Sequence, residues 1–84
     1  MFYYTYILKS KKDGRIYTVY TKDLRKRLSE HNTGKSTYTK GRGPFIVIYY
    51  EACLLEKEAR SRELYLKSGM GKRYLENRLG ASYL

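Results

Sequence analysis

The chain opens with FYYTYILK, residues 2–9, a run of aromatic and β-branched side chains that predicts a strand. Successive strand side chains point to opposite faces. Tyr4 and Tyr6 then share one face, and Tyr3, Thr5 and Ile7 the other. SKKDG follows and ends in Gly14, a hairpin signal. RIYTVYT, residues 15–21, predicts a second strand, with Tyr17 and Val19 on one face and Ile16, Thr18 and Tyr20 on the other. The period then lengthens. KDLRKRLSEHN sets Leu24 and Leu28 one helical turn apart, with Thr21 or Asp23 available as cap. Arg27 and His31 are four apart and share a helix face. Asn32 and Gly34 end this helix. TGKSTYTKGRGP reads as a basic loop with three glycines and a proline, and FIVIYYEA, residues 45–52, as a third strand apolar enough for the sheet interior. A second helix runs from near Leu55 to Gly69, with Glu63 beside an apolar stripe that includes Ala59 and Leu66. MGKRYLENRLG predicts a short third helix, and ASYL a fraying tail. The order is β-β-α-β-α-α. It predicts an α/β fold with a small three-stranded, antiparallel-containing sheet flanked by helices.

At 84 residues the expectation is a single domain spanning 1–84. No run of about 18 apolar residues is present to cross a membrane, and the first residues lack the basic region of a secretory signal. A cytoplasmic protein with no membrane partner is expected. Cys53 is the single cysteine, which excludes an internal disulfide and a cysteine-based zinc site. It reads as a small buried apolar residue.

Charge changes the picture most. Eighteen Lys and Arg against eight Asp and Glu give +10. So basic a small chain attracts polyanions at long range, nucleic acid first among them. Eleven tyrosines with no tryptophan add stacking surface and titratable hydroxyls. The plainer alternative is a basic surface that serves solubility or ribosome assembly.

Cutting a phosphodiester requires a group to activate water, a cation to neutralise phosphate and usually a carboxylate to hold metal. The candidates are Tyr6 and Tyr17 on adjacent strands, Arg27 and His31 on the following helix, and Glu63 on the second helix. One carboxylate suits a single Mg²⁺ completed by waters and substrate phosphate. Each residue also has an ordinary explanation. Strands are rich in tyrosine, a histidine near a helix C-terminus is favourable there, and Glu63 can pair with Lys67 at i,i+4.

Together, these residues resemble the GIY-YIG nuclease family, in particular small members related to the N-terminal domain of the bacterial excision-repair nuclease subunit. The likeness spans roughly residues 3–79. YTYIL carries the first signature with Tyr6, and IYTVYT the second with Tyr17. DLRKRLSEHN, YTKGRGP and EARSRELYLKSGMGKRYL match alongside them. The resemblance implies a metal-dependent endonuclease acting on DNA. Tyr6 or Tyr17 would activate water with His31 as helper. Arg27 would contact the scissile phosphate, and Glu63 would hold a single Mg²⁺ or Mn²⁺. Lys40 and Arg42 in the basic loop are candidates for backbone contacts, and Asn32 or Asn77 for a supporting amide. One position departs from the pattern. The second signature ends in glycine in the family and in Val19 here. Tyr4 likewise stands where the first signature has glycine. A branched side chain beside Tyr17 leaves two readings: an endonuclease, or a nucleic-acid-binding module with weak or no catalysis.

Overall fold

A computed structural model of the chain describes residues 1–34 and 40–83. Its elements follow the expected order: β1 (Tyr3–Ser10), β2 (Ile16–Thr21), α1 (Leu24–Asn32), β3 (Phe45–Cys53), α2 (Glu56–Lys67) and α3 (Gly69–Leu79). Local chemistry explains the boundaries. Ser10 Oγ accepts from the backbone N–H groups of Lys12 and Asp13, closing the β1–β2 turn. Asp23 caps α1 by accepting from Lys26 N at 3.1 Å. Ser68 ends α2 and caps α3, its Oγ accepting from Gly71 N.

All strand pairs are antiparallel, in the order β2-β1-β3. This corrects one expectation, because β3 is an edge strand and β1 is central. Helices lie over both faces. Tyr6, Leu8, Tyr17 and Phe45 form one core with Val19, Leu24, Leu28 and Val47, beneath α1. Ile7, Leu66 and Leu75 form the other with Ile16, Ile48, Tyr49, Leu79 and Tyr83, beneath α2 and α3. An apolar edge strand is satisfied because helices cover it from above and below. A bulge between Ile7 and Leu8 leaves Ile48 without a β1 partner, so Ile48 and Tyr49 both serve the α2–α3 core.

Two smaller expectations also change. The tail does not fray at once: Gly80–Ser82 forms a 3-10 turn, and Tyr83 packs against the second core. Cys53, at the end of β3, is free and only partly buried.

Candidate active site

The hairpin brings the two signature tyrosines into one cluster, but not as direct partners. Tyr6 lies across from Val19, and Tyr17 across from Leu8. The phenols are therefore diagonal neighbours on the α1-facing side. Tyr6 is fully buried and Tyr17 nearly so.

α1 supplies the polar groups above them. His31 is buried, and its Nε2 lies 3.1 Å from the Tyr6 hydroxyl. Arg27, one turn earlier, lies close enough for its charge to act on the same hydroxyl and holds Glu30 through Nη1 at 3.0 Å. Burial raises the Tyr6 phenol well above its ordinary value, against the opposing pull of Arg27. Burial first, and the Arg27 charge second, lower His31 from its usual value. Both shifts favour neutral forms. The resting contact accordingly joins a neutral phenol and a neutral imidazole.

Phe45 packs edge-on to both Tyr17 and His31, with ring centroids 5.6 and 6.0 Å apart. It bridges the second signature to α1, a role the strand pattern alone could not reveal. Asn32 fixes the same corner. Its Oδ1 accepts from Phe45 N at 2.7 Å and its Nδ2 donates to Phe45 O at 3.3 Å. Of the two candidate amides, Asn32 stands at the site, while Asn77 is exposed on α3.

Glu63 stands on α2, on the other side of the sheet from α1. Its side chain is 17% exposed and pairs with Lys67 at 3.2 Å, and its charge acts on the Tyr6 hydroxyl. Among the described residues, no three His, Cys, Asp or Glu side chains gather as a metal cluster. Glu63 alone offers one hard carboxylate, a donor type that suits a single Mg²⁺ or Mn²⁺ with water and phosphate completing its shell. Lys67 is 46% exposed, so it can swing aside. Lys40 and Arg42 are exposed on the loop entering β3. The Arg42 carbonyl accepts from Ser10 Oγ at 2.6 Å, tying that loop to the end of β1. Tyr38 and Thr39 of the YTKGRGP motif lie outside the described residues.

Val19 sits half-buried, packed against the core of Tyr6, Leu8, Tyr17 and Phe45. Among the described residues, only glycines have positive φ. Val19 is therefore in ordinary strand backbone, which a branched residue adopts easily.

On the opposite face a second polar network ties β3 to α2 and α3. Arg62 donates to both oxygens of Glu51, and the Tyr49 hydroxyl donates to Glu51 at 2.7 Å. Arg62 also lies over the rings of Tyr65 and Tyr74. This clamp sets the rotation of α2 and with it the direction of the adjacent Glu63. The sequence signal for it was Glu51, a lone carboxylate in an apolar strand.

Comparison with known proteins identifies the family. Residues 2–78 match the GIY-YIG catalytic domain. The chain belongs to the GIY-YIG family. The UPF0213 protein of Clostridium perfringens is 48% identical over 65 residues, 76% of this chain and 69% of the relative. That of Oceanobacillus iheyensis is 44% identical over 66 residues, covering 77% and 76%. The solution NMR structure of the UPF0213 protein from Bacillus halodurans is 38% identical. It superposes with a TM-score of 0.58 over 99% of this chain and 92% of that one. The resemblance read from the signatures and the β-β-α-β-α-α fold are both borne out, and the family places the chain among nucleases that act on nucleic acid.

Proposed function

We propose that this GIY-YIG chain is an endonuclease that hydrolyses DNA phosphodiester bonds with one Mg²⁺ or Mn²⁺, residues 1–84 acting as one catalytic unit. The observation that carries the reading is the buried contact of Tyr6 with a neutral His31, beside the Arg27 guanidinium. Tyr6 is the phenol that has an imidazole nitrogen within hydrogen-bond reach. His31 takes the phenol's proton, and the phenolate takes one from the attacking water. Arg27 exchanges Glu30 for the scissile phosphate. It spreads the developing charge over its planar fork of donors, and this exchange opens the covered hydroxyl to water. Glu63 holds the cation, which when bound supplies charge neutralisation at the phosphate. Lys40 and Arg42 contact the backbone.

Glu63→Gln tests the assignment directly. Cleavage of labelled DNA in Mg²⁺ or Mn²⁺ should fall at least about 10²-fold, the scale of losing a charge-stabilising group. DNA affinity without metal should stay within about twofold. Weaker DNA binding or a lower Tm in this variant would instead make Glu63 a structural residue. The alternative, a binding module without catalysis, draws on Val19 at the signature position. Metal-independent binding with no cleavage of any DNA form would favour it.

A further inference from the structure

α1 is nine residues long and covers only part of the sheet face that carries Tyr6. Beyond its N-terminal end the face continues as Tyr4 and Tyr50. Their ring centroids are 6.0 Å apart and tilted by 59°, and Tyr50 is 56% exposed. Tyr50 is the direct cross-strand partner of Tyr6, so the two tyrosines abut the candidate active site. A hollow of about 430 Å³ lies between them and the start of α1, lined also by Lys22 and Arg25. It adjoins a larger apolar hollow of about 700 Å³ that shares Leu24, Arg25 and Tyr50 and is lined also by Arg78. Together the two form a trough across the Tyr50 ring.

The chemistry of this trough is specific. Lys22, Arg25 and Arg78 form no ion pair among the described residues. Asp23 is the one carboxylate in either lining, and it is engaged at the α1 cap. Aromatic faces open to solvent beside unneutralised cations suit a single strand, which offers base faces and phosphates at once. A duplex keeps its base faces stacked inside. An apolar protein segment would leave three cations without partners.

We infer that the trough over Tyr4 and Tyr50 stacks an unpaired nucleotide next to the scissile phosphate, and that the substrate class is single-stranded DNA or a duplex bearing a single-stranded branch. The inference rests on the nuclease reading for its placement, but not for the binding itself.

The test is fluorescence anisotropy of the intact protein in EDTA. The probes are a labelled single-stranded oligonucleotide, a hairpin-capped duplex without free ends, a blunt duplex, and a duplex with a single-stranded tail. Tyr50→Ala, Tyr50→Phe, Tyr4→Ala and Arg25→Ala are compared with the parent. Single-stranded and tailed probes should bind tighter than the capped duplex. Tyr50→Ala should weaken only those two, by about tenfold, the effect of losing one stacked base. Tyr50→Phe should restore them, which a role through the hydroxyl would not allow. Equal weakening on the capped duplex, or no weakening anywhere, overturns the proposal, as does a loss confined to blunt ends. Cleavage assays with Mg²⁺ and Mn²⁺ separate the two readings. Capped-duplex cutting unaffected by Tyr50→Ala would remove the trough and keep the nuclease. Tyr50-dependent strand binding with no cleavage would remove the nuclease and keep the trough.

Discussion

At the scale of single residues, burial sets the chemistry. His31 was legible as a helix-face histidine, but its partner was not, because Tyr6 and Tyr17 share a sheet face and either could meet it. The hydrogen bond goes to Tyr6. Burial and Arg27 lower the His31 pKa, with Glu30 opposing. Below its ordinary value near 6.5 the unfolded chain therefore binds a proton that the folded chain resists. Stability from this group is complete above that pH and is lost as pH falls through it. Thermal unfolding should show Tm dropping between about pH 7 and pH 5.5, and His31→Gln should flatten that slope. Val19 was the discordant letter in the sequence. In the fold it packs against the core of Tyr6, Leu8, Tyr17 and Phe45 in ordinary strand backbone. Val19→Gly should cost about 1–2 kcal/mol in urea unfolding, from a lost half-buried side chain and a looser backbone. Its cleavage rate should stay within about twofold of the parent's, a range well under 1 kcal/mol. A much larger gain would mean that the valine silences the site.

At the scale of elements, two junctions orient the site. The Asn32 amide pins the end of α1 to the start of β3 through both polar groups of Phe45. The α2–α3 corner depends on Gly71. A Cβ there would fall 2.0 Å from the Tyr65 carbonyl oxygen and 2.5 Å from the Leu66 Cα. Both are backbone atoms, so the helices themselves would have to part. Gly71→Ala should therefore destabilise by about 2–3 kcal/mol, the overpacking range, and should weaken cleavage because α2 also carries Glu63. Chemical denaturation gives the first quantity. The sequence marked Gly69 as the helix end, but a glycine inside a helical pattern gave no sign of a backbone crossing, which is a contact between elements.

At the scale of the whole molecule, +10 on 84 residues acts on any polyanion before local contacts form. Affinity for DNA should fall steeply with salt. With about four phosphates engaged, the loss between 50 and 200 mM salt is roughly 10²-fold, measurable by anisotropy at several salt concentrations. A flat response would remove phosphate neutralisation from the account. No described helix is long and apolar enough to cross a membrane.

The sequence by itself determined the element order, the strand faces, the charge and the family signatures. Each is local: a period, a side-chain type or a spacing along one chain. Only the tertiary structure decided that β1 and not β3 is central, that His31 meets Tyr6, that Asn32 and not Asn77 stands at the site, and that Cys53 is half-open. Periodicity tells which face a residue occupies but not which element covers that face. Burial, hydrogen-bond partners and shifted pKa values are properties of the covering.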